Sequence, residues 1–142
     1  MSQFERPNIS QMQGYISGEQ PQDGRSIKLN TNENPYPPSP EVSAAIKTFA
    51  TEQLRVYPQP DAKLLRQAIA DHHGVGIDSV VVTHAGDEAL RLAVTTFVAS
   101  GGVVASTEPT YSLYPVLAQI QDAQMFTQDL AADWSLPDDF AD

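Results

Sequence analysis

The sequence predicts an α/β protein with a mainly parallel sheet. The segment "SVVVTH" (79–84) is a β-branched run in which apolar and polar residues hardly alternate, as is typical of a strand buried on both faces. A helix follows it, and its apolar stripe consists of Leu90, Ala93, Val94 and Phe97. A second run of the same kind is "VVAS" (103–106). Strand, helix and strand in this order form a βαβ unit, which implies parallel strands.

Three segments divide the chain. Residues 1–26 are polar and contain several Gly residues, so we expect an irregular N-terminal arm. Residues 27–78 predict a small-domain or linking segment with two helices, and residues 79–142 predict the start of a larger α/β domain. We expect that domain to be incomplete, because two or three strands are too few to bury several amphipathic helices.

The two helices of the middle segment have predictable ends. Ser39 is the expected N-cap of the first helix, with Pro40 at its first position. The apolar face of that helix consists of Val42, Ala45, Ile46, Phe49 and Leu54. Asp61 is the expected N-cap of the second helix, and Gly74 is its expected end.

A further helix and strand are predicted after residue 106. The segment "EPTYSLYPVLAQI" starts a helix in which Pro115 lies either in the first turn or at a kink. The segment "AQMFTQDL" (123–130) then fits a third strand.

Charge is unevenly distributed along the chain. The formal net charge is −10, and all 8 Lys and Arg residues lie at or before Arg91. Nucleic acids and anionic membranes bind clusters of positive charge, so neither is an expected partner. The chain has no Cys, which excludes disulfides and a thiol nucleophile, and the N-terminus has no signal-peptide pattern. A cytoplasmic location is therefore the expectation.

The junction between residues 83 and 88 is the first candidate site. Ligands of open α/β sheets bind at the carboxyl ends of strands, and the amides of Gly86, Asp87 and Glu88 would point out of a helix N-terminus. The two acids equally fit simple stabilisation of the helix dipole. A metal site using His84 with these acids lacks a second His at ligand spacing, so no metal is expected.

Three tyrosines are the second group of candidates. Tyr57 lies in an extended segment between the two helices, and Tyr111 and Tyr114 follow the second strand. An aromatic ring at the carboxyl end of a strand suits stacking on a planar ligand, although packing against the sheet edge explains it equally well. The lysines are Lys28, Lys47 and Lys63, and each fits an ordinary surface position.

Four motifs together resemble histidinol-phosphate aminotransferase, a family of fold-type I enzymes that use pyridoxal 5'-phosphate. They are, in order, "KLNTNENPYPPSP" (28–40), "RVYPQPDAKLLRQAIADHHGV" (55–75), "THAGDEAL" (83–90) and "EPTYSLYPV" (108–116). The resemblance begins at about Met12 and covers nearly all of the chain after it. It implies an N-terminal arm followed by the first part of a fold-type I large domain.

The resemblance also implies residue roles. The amides of Gly86, Asp87 and Glu88 would hold the cofactor phosphate, and Tyr111 would stack on the pyridine ring. Tyr57 would reach the phosphate in the partner subunit of a homodimer. Two further residues, Tyr15 and Asn34, would border the substrate site. The implied substrates are histidinol phosphate and glutamate or 2-oxoglutarate.

The sequence departs from the family pattern at the junction and in length. Ala85 stands where the family has a glycine, and Gly86 where it often has a serine. The family's chain is more than twice as long, and its Schiff-base lysine would lie beyond residue 142. No catalytic residue is therefore expected within these residues, and we expect the chain alone to be inactive.

Other functions remain open on the sequence. A related aromatic amino acid aminotransferase or a threonine-phosphate decarboxylase would share the same motifs. A non-catalytic fragment or split subunit, which binds only phosphate or a partner chain, is the alternative of another class.

Overall fold

The structure is a computed structural model and describes residues 3–140. Its helices and strands, in chain order, are α1 (Pro7–Ser10), α2 (Pro40–Thr48), α3 (Lys63–His73), α4 (Ala85–Phe97), β1 (Val103–Glu108), α5 (Leu113–Ile120) and β2 (Gln124–Asp129). Short 3-10 helices cover Thr51–Arg55 and Ile77–Ser79. The chain forms two compact units, Met1–Ile16 with Thr83–Asp142 and Ser17–Val82, and each is described by itself.

The first unit contains a parallel βαβ unit made of β1, α5 and β2. The strands pair in register from Val103 opposite Gln124 to Glu108 opposite Asp129. Both predicted strands in this region are confirmed, and with them the partial α/β fold. The core lies where α5 covers the sheet, and its buried residues are Ser106, Leu113, Leu117 and Ala118. Pro115 lies in the first turn of α5, where its missing amide hydrogen costs no helical hydrogen bond.

The predicted strand at residues 79–84 is wrong. Ile77–Ser79 is a 3-10 helix, and Val80 has the extended angles of a strand (φ −119°, ψ 126°) without a strand partner. An extended segment becomes a strand only when its amides and carbonyls pair with a neighbour. Within residues 3–140, β1 pairs with β2, and the βαβ connection therefore passes through α5 instead of α4.

The helix expected after the junction is present as α4. It begins at Ala85, directly after His84, and ends at Phe97. Ala85 has φ +64°, a left-handed conformation that favours glycine because a Cβ atom is strained there. Ala85 is therefore a strained residue at the start of α4.

The first helix of the Ser17–Val82 unit starts as predicted and ends early. It begins at Pro40 after Ser39, but it stops at Thr48, well before Leu54. The Thr48 hydroxyl donates to the carbonyls of Ala44 (2.9 Å) and Ala45 (3.4 Å). The Ala45 carbonyl is the one that the Phe49 amide would use in a longer helix, and the Phe49 amide donates to Ile46 instead. A short 3-10 helix then follows.

The second helix of this unit ends at Gly74 as predicted but lacks its predicted cap. Gly74 is left-handed (φ +67°) and its amide donates to the last-turn carbonyls. Ala62 precedes α3 with φ +47°, and no side chain caps the helix, so the Asp61 N-cap is wrong. The helix begins one residue later than predicted, with Ala62 at the cap position, and the Asp61 carboxylate lies 3.7 Å from the Arg66 guanidinium.

The N-terminal arm is partly ordered by the end of α5. It contains the one-turn helix α1, which the sequence did not predict. Arg6 donates to the Ile120 carbonyl (3.1 Å), and Asn8 donates to the Gln119 carbonyl (2.8 Å). These side chains bind two carbonyls in the last turn of α5, and the Gln119 carbonyl also accepts the Asp122 amide hydrogen.

None of the helices within residues 3–140 is long and apolar enough to cross a membrane.

Candidate functional site

Glu88 folds back onto the start of α4. Its Oε2 accepts the His84 amide hydrogen at 2.6 Å and lies 3.2 Å from the His84 Nδ1. The Arg91 guanidinium lies 3.4 Å from the other oxygen. Hydrogen bonds lower the pKa of the Glu88 carboxyl below its usual value. The bond from the His84 amide has the largest effect, and the bond with the His84 ring comes next. The carboxylate of Glu88 therefore caps the helix instead of projecting into the space beyond it.

The amides of Gly86 and Asp87 are left without backbone acceptors. Within residues 3–140, no backbone carbonyl before α4 accepts a hydrogen bond from either of them. A contribution from the Glu88 amide stays a prediction. Apart from its chain neighbours and the helix backbone, a Cβ atom at Gly86 would meet no atom within 4 Å, so the space beside this residue is open. Free amides at the positive end of a thirteen-residue helix form an arrangement that favours an anion.

Tyr111 lies beside this helix start. It follows β1 in the loop before α5, and its hydroxyl donates to the Asp87 carboxylate at 3.2 and 3.4 Å. The predicted ring and the predicted amide row are therefore adjacent. Each acid of the junction therefore accepts a hydrogen bond: Asp87 from the Tyr111 hydroxyl and Glu88 from the His84 amide.

Two further tyrosines surround Tyr111. The hydroxyl of Tyr15 lies 3.4 Å from that of Tyr111, and their ring centroids are 6.2 Å apart at 71°. Tyr114 contacts Tyr111 edge to face, also at 6.2 Å, with an interplanar angle of 86°. Tyr111 itself remains 42% exposed, so its ring is open to a ligand.

The phenol of Tyr111 is held in its protonated form. The hydrogen bond with Tyr15 contributes most, followed by partial desolvation and the negative charge of Asp87, and together they raise the pKa of Tyr111 to about 12. The Tyr111 hydroxyl therefore keeps its proton at neutral pH and can donate a hydrogen bond.

The arrangement suits a planar ligand that carries an anionic group. The free amides of α4 would bind the anion, and the adjacent ring of Tyr111 would contact the planar part. Among residues 3–140, no group of three or more His, Asp or Glu residues is placed to hold a metal ion.

The remaining predicted site residues, Tyr57 and Asn34, belong to the Ser17–Val82 unit. Tyr57 is 100% exposed and lines a shallow groove with Phe49 and Leu54. The Asn34 side-chain oxygen accepts the amide hydrogen of Tyr36 at 3.0 Å, which forms a local turn. Their roles in cofactor and substrate binding stay predictions.

Sequence reasoning missed the side-chain role of Asp87. The hydrogen bond between Tyr111 and Asp87 joins residues 24 positions apart, and no spacing rule connects them. The available signal was positional, because one residue begins a helix after an extended segment and the other follows a strand end.

Comparisons with known proteins identify close relatives. The chain is 39% identical over 137 residues to a histidinol-phosphate aminotransferase of Chromohalobacter salexigens, an alignment covering 96% of this chain and 39% of that protein. It is 40% identical over 136 residues to the enzyme of that name from Clostridium acetobutylicum, with the same two coverages. The homologue from Geotalea daltonii is 41% identical over 134 residues. No family model matches the chain.

A solved structure shares the fold. It is histidinol-phosphate aminotransferase from Sinorhizobium meliloti in complex with pyridoxal-5'-phosphate, with a TM-score of 0.78 and 24% sequence identity. The match covers 94% of this chain and 36% of that chain. The chain spans about 39% of the length of the relatives that it matches. Over nearly its whole length, the chain is therefore similar to the N-terminal portion of proteins named histidinol-phosphate aminotransferase.

Proposed function

We propose that this chain forms the N-terminal part of a pyridoxal-phosphate-dependent aminotransferase and contributes part of the cofactor site. The observation that supports this most directly is the pair of free amides at Gly86 and Asp87 next to the exposed ring of Tyr111. A phosphate and an aromatic ring are the two ends of pyridoxal phosphate, and the site offers a suitable group to each.

The charges of the site are compatible with a phosphate. Two carboxylates near an anion would oppose it if they faced it freely. Here the Glu88 carboxylate is tied to His84, and the Asp87 carboxylate accepts the Tyr111 hydroxyl. The chain thus offers amide hydrogens to the phosphate while its acids are engaged elsewhere.

The proposed reaction moves an amino group between glutamate and the phosphorylated imidazole ketone that becomes histidinol phosphate, a step of histidine biosynthesis. Bound pyridoxal phosphate supplies an electron sink for this chemistry, whereas the residues of this chain bind and orient it. Tyr15 and Asn34 would border the substrate, and Tyr57 would contact the cofactor of the other subunit in a homodimer. A cytoplasmic location is part of the same proposal.

Equilibrium dialysis of the purified chain tests the cofactor site. We expect pyridoxal phosphate to be retained more tightly than pyridoxal, because only the former carries the phosphate that the α4 amides bind. Tyr111→Ala should weaken the binding of both ligands, since both contain the ring. Tyr36→Ala, which removes a tyrosine of the other unit, is the matched control. Equal retention of the two ligands would contradict the phosphate site.

Turnover separates the enzyme proposal from the fragment alternative. A polypeptide of these 142 residues alone should not transaminate histidinol phosphate with 2-oxoglutarate, because none of Lys28, Lys47 and Lys63 matches the lysine that anchors the cofactor. Adding a polypeptide equivalent to the remainder of a family member should restore turnover. If the gene continues past Asp142 into a Ser-Lys motif, the chain is part of one longer enzyme. If a separate gene encodes the remainder, the chain is one subunit of a split enzyme.

The substrate is the second point to test. A related aromatic amino acid aminotransferase or a threonine-phosphate decarboxylase would use the same cofactor contacts. The restored enzyme should prefer histidinol phosphate over phenylalanine and should release no carbon dioxide from threonine phosphate. The opposite preference would assign the chain to one of these related activities.

A further inference from the structure

Asp87 belongs to both halves of the candidate cofactor site. Its backbone amide is one of the free first-turn donors of α4. Its carboxylate accepts the hydroxyl of Tyr111 with both oxygens, at 3.2 and 3.4 Å. One residue thus connects the amide row to the aromatic ring.

We propose that Asp87 is a positioning residue whose carboxylate fixes the spacing between the Tyr111 ring and the first-turn amides of α4. The hydroxyl of Tyr15, on the N-terminal arm, lies 3.4 Å from the same Tyr111 hydroxyl and forms a second hydrogen bond with it. This inference rests on the proposed function, because the spacing matters only if one ligand contacts both the ring and the amides.

The ring of Tyr111 needs such a restraint. It is 42% exposed, and its aromatic neighbours Tyr15 and Tyr114 contact it edge-on instead of enclosing it. Core packing therefore does not fix the ring, and its hydroxyl is the atom through which α4 can hold it. A ligand that meets a ring already in place loses less conformational entropy on binding.

The contact differs from what a helix-dipole acid requires. An acid in the first turn stabilises the helix while it is fully solvated and needs no partner. Glu88 already caps α4 through the His84 amide. The Asp87 carboxylate instead points to a phenol on a different element, which also offsets its negative charge next to the proposed phosphate.

Ring titration measures the link without any cofactor. Asp87 on α4 and Tyr15 on the arm face the Tyr111 hydroxyl, and Tyr114 on α5 contacts the Tyr111 ring. In the chain with 13C-labelled tyrosine rings, Tyr111 is assigned through Tyr111→Phe, and its pKa should be about 12. Asp87→Asn should move that pKa toward the ordinary value of about 10, and Tyr15→Phe should move it further.

Asp71→Asn, on α3 in the other unit, is the matched charge control and should leave the titration of Tyr111 unchanged. A Tyr111 ring that titrates identically in the wild type and in Asp87→Asn would overturn the link.

Affinity for pyridoxal phosphate measures the positioning role. Asp87→Ala should weaken binding about fivefold, the loss expected for one hydrogen bond. Asp87→Asn should stay within about twofold of the wild type, because its amide oxygen accepts the same hydrogen bond. In a Tyr111→Phe background, Asp87→Ala should add no further loss, since the hydroxyl is already gone.

Three outcomes overturn the proposal in different ways. Tighter binding by Asp87→Ala would show that the carboxylate mainly repels the phosphate. An equal loss in the Tyr111→Phe background would show that Asp87 acts independently of Tyr111. If the wild type binds no pyridoxal phosphate while the ring titration still reports the link, then the proposed function fails, and the positioning role fails with it.

Discussion

Ala85 carries the backbone strain of the junction at the scale of a single residue. Its φ of +64° is readily adopted by glycine, whereas a residue with a Cβ atom pays roughly 1–2 kcal/mol there. Ala85→Gly should therefore raise the free energy of unfolding by about 0.5–1 kcal/mol, after the greater freedom of glycine in the unfolded chain is subtracted. Urea denaturation measures the change.

Ala93→Gly, within the same helix, is the matched control. Ala93 has ordinary helical geometry, so glycine should cost about 1 kcal/mol there. If both substitutions destabilise the chain equally, the left-handed conformation of Ala85 is contradicted.

Gly86 is the second departure from the family pattern and allows a gain of binding. Nothing lies within 4 Å of a Cβ atom at this position, so a serine side chain fits. Its hydroxyl would add one hydrogen bond to a charged phosphate, and Gly86→Ser should tighten pyridoxal phosphate binding about tenfold. Gly86→Ala lacks the hydroxyl and serves as the control. Equal affinity of the Ser and Ala variants would contradict a phosphate at this position.

Glu88 should make stability depend on pH. Its pKa is lowered in the folded chain, from an ordinary value of 4.5, chiefly by the His84 amide. The folded state therefore gains from the charged form above pH 4.5, and this gain is lost as pH falls through the lowered pKa. Glu88→Gln should destabilise the chain at pH 6 and much less at pH 3, as measured by urea denaturation. A constant difference between the two pH values would contradict the cap.

At the scale of elements, α1 and α5 depend on one another. Asn8 donates to the Gln119 carbonyl at 2.8 Å, at the end of α5, where the Asp122 amide also donates to that carbonyl. Asn8→Ala should cost about 1 kcal/mol of stability and should speed amide hydrogen exchange in α1. Ser10→Ala is the control, because the Ser10 hydroxyl donates only within the same turn, to Pro7. Equal exchange rates in the two variants would contradict the tether.

The sequence predicts those elements whose signals are local. Ser39-Pro40 starts α2, Gly74 ends α3, and the run at residues 103–106 lies in β1, because each depends on its own neighbours in the chain. The run at residues 79–84 has the composition of a strand but finds no strand partner in the described chain. A strand is defined by pairing with another segment, and composition alone does not supply that segment.

The same distinction applies to the site. The amides of Gly86 to Glu88 follow from the helix start, which is a local signal, whereas the contact between Asp87 and Tyr111 joins two elements. The four sequence motifs nevertheless indicated a resemblance to histidinol-phosphate aminotransferase, and the comparisons confirm that resemblance. They imply the roles of Tyr57 and Asn34 as well, and these remain predictions.

At the scale of the whole molecule, the chain exposes more apolar surface than its small core accounts for. Within residues 3–140, five hydrophobic residues of the two units are buried, whereas Val103 and Phe126 on the sheet and Phe97 on α4 are exposed. Parallel sheets are normally covered on both faces. This agrees with a chain that spans about 39% of the length of its relatives.

The central claim is that the first turn of α4 binds the phosphate of pyridoxal phosphate, and amide NMR tests it most directly. On titration of the 15N-labelled chain with pyridoxal phosphate, the amide signals of Gly86, Asp87 and Glu88 should shift together with saturation. Pyridoxal, which lacks the phosphate, should move them much less. If these three signals stay in place, or if pyridoxal moves them equally, the claim is contradicted.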